Sequence, residues 1–98
     1  MIDRNFYSVI EVFLARMRDM RISSRKLSKK IKINPGWMSR LLTGKAPIKR
    51  KLFLRLCDEL DLSPAELEAE FPNDFNPLDG SLRAIGEPPV YIHSRDRK

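Results

Sequence analysis

Cysteine and histidine are almost missing from this chain of 98 residues, with Cys57 and His93 the single examples. A zinc site needs three or four soft ligands, and two candidates do not build one. Nucleophilic catalysis fares no better, because a Cys57–His93 pair has no glycine-rich turn or oxyanion segment beside it. Cys57 falls in the apolar run LFLRLC, where a thiol packs as a small hydrophobe. No catalytic residue, metal or cofactor is therefore expected. Long apolar runs are lacking too. None approaches the roughly 20 residues that cross a bilayer, and no signal-peptide pattern opens the chain, so the cytoplasm is the expected compartment. At 98 residues with 42% hydrophobic side chains, one compact domain is the natural outcome.

Acids are absent from one long stretch. Between Arg21 and Arg55 every charge is positive: Arg21, Arg25, Lys26, Lys29, Lys30, Lys32, Arg40, Lys45, Lys49, Arg50, Lys51 and Arg55. From there to Leu82 the sign reverses, with Asp58, Glu59, Asp61, Glu66, Glu68, Glu70, Asp74 and Asp79. The whole carries a net charge of +6. A basic patch repels itself in the folded state, and one that spans several elements points to a polyanionic partner. A membrane surface would ask for a long amphipathic helix with aromatic residues beside a basic flank, and these basic elements are too short.

Helical periodicity supplies the rest. Residues 3–20 read as an amphipathic helix with Phe6, Val9, Ile10, Phe13, Leu14, Met17 and Met20 on one face and Asp3 as cap. Ser23 is an N-cap for a second helix that buries Leu27 and Ile31, and KIN (residues 32–34) connects it to a third. In NPGWMSRLLTGK, Asn34 caps, Pro35 takes the first helical position and Gly44 closes the helix. Met38, Leu41 and Leu42 point inward, leaving Gly36, Ser39, Arg40 and Thr43 outside. A fourth helix over roughly 48–60 buries Leu52, Phe53, Leu56 and Leu60. In DLSPAELEAEF, Ser63 and Glu66 form a capping box, Pro64 opens the helix and Leu62 staples it. Residues 72–98 are rich in proline, glycine and turn pairs and show no helical period, so they read as an extended tail in which only VYIH resembles a strand. The division expected is a helical domain over 1–71 and a tail over 72–98.

Two short helices joined by about three residues, the second with an exposed polar face, make a helix-turn-helix. The segment ISSRKLSKKIKINPGWMSRLLTGK resembles the helix-turn-helix of the phage-repressor family, also called the Cro/repressor or XRE type. The likeness is ungapped from Ile22 to Lys45 and rests on Ile22, Leu27, Ile31, Ile33, Met38, Leu41, Ser39, Arg40, Gly44 and Lys45. It implies an all-α fold, a compact five-helix bundle of the lambda-repressor-like type. Residues 13–71 fall within it. In two places the chain departs from the pattern. Leu42 replaces a common glutamate, with Met17 or Arg18 opposite it, and Lys32 stands where a turn glycine is frequent, which asks a lysine to adopt a left-handed conformation at a cost of about 1 kcal/mol.

The resemblance places the second helix of the motif in the major groove of double-stranded DNA. Carried over by position, Asn34, Pro35, Gly36, Ser39 and Arg40 face the bases. Arg40 alone among them suits bidentate contact with guanine. Ser24, Arg25, Lys26, Trp37, Lys45, Lys49 and Arg50 fall along the sugar-phosphate backbone. The function implied is sequence-selective transcription regulation by a repressor that binds DNA as a homodimer. Two other classes fit the same residues. One is an antitoxin-like or antirepressor-like interaction protein whose tail binds a protein partner through Phe75, Leu78, Ile85, Val90, Tyr91 and Ile92. The other is a nucleoid-type protein that binds DNA without sequence choice.

Overall fold

A computed structural model describes residues 6–85. Five α-helices follow one another: α1 Val9–Met20, α2 Ser24–Ile31, α3 Pro35–Leu42, α4 Arg50–Glu59 and α5 Pro64–Glu70, with a 3-10 turn at Pro72–Asp74. Each inward stripe feeds one core, where Val9, Phe13, Leu27, Met38, Phe53, Leu56, Cys57, Leu60 and Leu67 are wholly buried. The expected apolar positions are thus buried in every helix, except that Leu14 and Met20 stay partly exposed, Leu52 is half-buried, and Phe6 is half-buried ahead of α1.

Local chemistry sets the helix starts. Ser23 Oγ accepts the Lys26 N–H at 3.1 Å, Asn34 Oδ1 the Trp37 N–H at 3.1 Å and Ser63 Oγ the Glu66 N–H at 3.3 Å, as their sequence positions indicate. The first helix begins later than residue 3. Ser8, whose Oγ accepts the Glu11 N–H, is its cap, and Asp3 lies outside the described residues. The serine wins because Glu11 follows it by three residues and returns a bond to the Tyr7 N–H at 2.8 Å, a variant of the capping box. The fourth helix also starts later, at Arg50, because Ile48 is drawn into a backbone bridge.

Four helices close with the residue after the last turn in the left-handed region: Arg21, Lys32, Gly44 and Asp61. Each of the next residues sends its N–H back five positions, as from Ile33 to the Ser28 carbonyl at 3.0 Å and from Lys45 to that of Arg40 at 3.0 Å. These are Schellman closures, and only one of them uses glycine. Lys32, at φ 61°, takes the conformation the turn demands.

Residues 72–85 form no α-helix, as their composition suggests, but they hold a 3-10 turn and a second turn and are packed against the helices. Phe75 lays its ring edge-on to Phe53 at 5.1 Å, and Phe53 in turn meets Phe13 at 6.1 Å. Leu82 is 1% exposed and bridges both Phe75 and Ile48. Asp74 accepts the Val9 N–H at 2.9 Å and so satisfies an open donor at the start of α1. A turn over 76–81 folds this segment back on itself, closed by Asn76 N–H to Ser81 C=O at 2.8 Å. In that turn the Ser81 backbone N–H holds the Asp79 carboxyl below its ordinary pKa. VYIH (90–93) lies outside the described residues.

Candidate nucleic-acid interface

Helices α2 and α3 pack directly on each other across Lys32, Ile33 and Asn34, with Ile33 half-buried as the hinge of the turn. Two outside contacts brace this unit. Arg55 Nη2 donates to the Ile31 carbonyl at 2.6 Å, capping the end of α2 from α4. Lys30 pairs with Glu59 at 3.8 Å on the same side. Of the two candidates opposite Leu42, Met17 is buried in the core cluster as Leu42 is, while Arg18 is exposed. With apolar side chains at Met17 and Leu42 the core holds no buried charge at these two positions, which need not weaken the fold.

The outer face of α3 carries Pro35, Gly36, Trp37, Ser39 and Arg40, all exposed. Its polar groups are unequally free. Asn34, also exposed, commits its carboxamide oxygen to the helix start and keeps only its amide N–H groups for another partner. A Cβ on Gly36 would stand 3.0 Å from that same oxygen, so a side chain there would press on the cap. Thr43 turns its hydroxyl back to the Ser39 and Arg40 carbonyls. The Arg40 guanidinium makes no hydrogen bond or ion pair among the described residues. Trp37 is 43% exposed, with part of its ring covered and part open.

Most cations of the acid-free stretch stay unpaired among the described residues. Arg21, Arg25, Lys26, Lys29, Lys32, Lys45, Lys49 and Lys51 are exposed, and no carboxylate among the described residues lies within ion-pair distance of them. Ser24 is half-buried at the first position of α2, next to Arg25 and Lys26. Lys49 lies close enough to Asp79 to help hold that carboxyl ionised. Arg50 behaves differently from its neighbours. Its guanidinium pairs with Glu68 at 2.6 Å, sits 5.6 Å over the Phe53 ring, and its stem packs on Gly80. The sequence marks it as a phosphate contact; in the fold it ties α4 to α5 and to the 76–81 turn.

Cys57 is wholly buried, and desolvation pushes its thiol up to about 12, with Arg50 opposing that rise and Glu68 adding to it. A thiol so shielded is neither nucleophile nor ligand at neutral pH. No group of three metal-ligating side chains occurs among the described residues. No helix there is long and apolar enough to cross a membrane.

Sequence reasoning did not find the segment that backs the loop after α3. The Ile85 N–H donates to the Gly44 carbonyl at 2.8 Å, and Ile48 and Leu82 exchange both backbone hydrogen bonds at 2.8 Å. One signal for it exists in the chain, the turn pair Asp79–Gly80 between apolar Phe75 and Leu82.

Residues 14–71 match the model of the Cro/C1-type HTH DNA-binding domain, and the chain belongs to that family. It is a DNA-binding regulator of transcription. No curated protein and no solved structure matches it.

Proposed function

We propose that the protein is a sequence-selective repressor that binds operator DNA as a homodimer, one α3 helix in each of two successive major grooves. The observation that supports this most is the separation of charge. Most exposed cations from the end of α1 to the start of α4 have no carboxylate within ion-pair distance among the described residues, while Glu59 and Glu68 are paired with Lys30 and Arg50. A surface of this kind gains affinity by releasing counterions from phosphates. Arg40 reads guanine through its planar fork, and Pro35, Gly36, Ser39 and the Asn34 amide line the bases beside it. Ser24, Arg25, Lys26, Trp37, Lys45 and Lys49 run along the backbone. A single short helix reads few base pairs, which is the reason for expecting two copies on DNA.

Few of these side chains read bases, so shape and deformability of the duplex share in the selection. Selection of bound sequences from a random pool at moderate salt tests the reading. Enrichment of one two-fold symmetric site is the expected result. Retention of duplexes without any enrichment would favour a nucleoid-type binder instead.

A further inference from the structure

The loop after α3 alternates strictly between inside and outside. Gly44, Ala46 and Ile48 are buried, whereas Lys45, Pro47 and Lys49 are exposed. At its start the closure of α3 holds the Lys45 N–H on the Arg40 carbonyl at 3.0 Å; beyond that the loop is tied from outside. Its inward backbone groups bond to residues far away in sequence: Gly44 C=O to Ile85 N–H, and Ile48 to Leu82 in both directions. These bonds fix Gly44 and Ile48 at either end of the loop, so a shift of either would move the Lys45 and Lys49 side chains that neighbour them. The start of the partner segment has anchors of its own outside the loop. Asp74 holds the start of α1, Phe75 packs on Phe53, and Arg83 donates to the Asn73 carbonyl at 2.6 Å. It is anchored to α1 and α4 at its start, and it lies beyond residue 71, where the family match ends.

We propose that residues 74–85 act as a positioning strap for the phosphate-binding loop: Leu82 and Ile85 set the register that presents Lys45 and Lys49 to DNA, without touching the nucleic acid themselves. This rests on the reading that those two lysines contact phosphates. Gly44 belongs to the same device. Its φ of 78° closes α3, and a Cβ there would collide with the Ile85 side chain. Glycine at this point serves both the helix end and the close approach of the strap.

The full-length chain tests the idea by titration against a mixed-sequence DNA duplex at several salt concentrations. Ile85→Pro removes the N–H that holds Gly44; Ile85 is 60% exposed, so the core should remain and the helical signal serves as control. The expected result is a shallower dependence of log K on log salt, by about 0.9 for each phosphate no longer neutralised and at most about twice that. The double variant Lys45→Ala/Lys49→Ala should show the same shallower slope, and adding Ile85→Pro to it should change nothing further. Ile85→Ala, which keeps the backbone bond, should move the slope less in the same direction. An unchanged slope and affinity in Ile85→Pro would overturn the strap. So would an equal loss with and without the lysines, since the effect would then not pass through them. An unchanged slope in the double lysine variant would instead remove the underlying placement of Lys45 and Lys49 on phosphates, and the inference with it.

Discussion

Two cations near the end of α3 differ in what their chemistry allows. Arg40 projects from the exposed face with its guanidinium uncommitted, whereas Lys45 follows the closing glycine as a point charge. Arg40→Ala should lower discrimination at one base pair by about 1–3 kcal/mol per half-site and affect random DNA less. Arg40→Lys should recover only part of that, because lysine lacks the planar fork. Lys45→Ala should weaken cognate and random duplexes alike. Titration of each variant against both duplexes distinguishes the roles. Cys57 makes a separate prediction at this scale. Its thiol titrates near 12 in the fold but at about 9.0 when unfolded, so the native state holds its proton to higher pH. Native protein should leave it unmodified by thiol reagents at pH 8, with full reaction in denaturant. By linkage, its contribution to stability is complete below pH 9.0 and is lost as pH rises toward 12. Denaturant titrations across that window would check the sign.

Among the elements, the helix ends carry the local instructions. Ser63→Ala removes the acceptor for the Glu66 N–H and should cost about 1 kcal/mol, read as a lower melting temperature with DNA affinity unchanged while folded. The turn of the helix-turn-helix offers the opposite opportunity. Lys32 occupies a left-handed position at φ 61°, where a Cβ crowds the following carbonyl. Lys32→Gly relieves that crowding, at some cost in unfolded-chain entropy, and should stabilise by roughly 0.5–1 kcal/mol. A decrease in melting temperature would show that the lysine stem packs on the turn. The caps of α2, α3 and α5 are legible in the sequence because a cap needs only a few neighbouring residues. Periodicity alone places the start of α1 too early, since apolar Phe6 continues the stripe while Ser8 and Glu11 stop the helix before it.

In the whole molecule the segment after α5 changes the account of stability. Ending the chain at Phe71 would remove Phe75 from Phe53, uncover Ile48 and leave the Val9 N–H without Asp74. Loss of the buried Leu82 side chain alone is worth about 1.5–3 kcal/mol. A chain ending at Phe71 should therefore melt well below one ending at Ile85, and a broad, weakly cooperative transition would fit the same loss. Equal melting temperatures would mean that the five helices are sufficient and that the strap is held by them without stabilising them in return. The two faces of charge belong to this scale as well. Arg50, next in sequence to two free lysines, is neutralised by Glu68 only because α4 and α5 bring them together.

Periodicity, caps and charge sign depend on neighbours within a few residues, and so the sequence by itself determined the five helices, their inward stripes, the helix-turn-helix and the basic patch around it. Family membership was legible for the same reason, since its pattern is local and ungapped. Tertiary structure decided what depends on distant partners. Leu82 is one apolar residue in a stretch of turn formers, and nothing local shows that Ile48 waits for it 34 positions earlier. Arg50 and Lys49 look alike in sequence, yet one is paired with Glu68 and laid over Phe53 and Gly80 while the other has no ion pair among the described residues. A hydrogen bond or ion pair between remote residues leaves no period in the chain, because its geometry exists only after the intervening helices have packed.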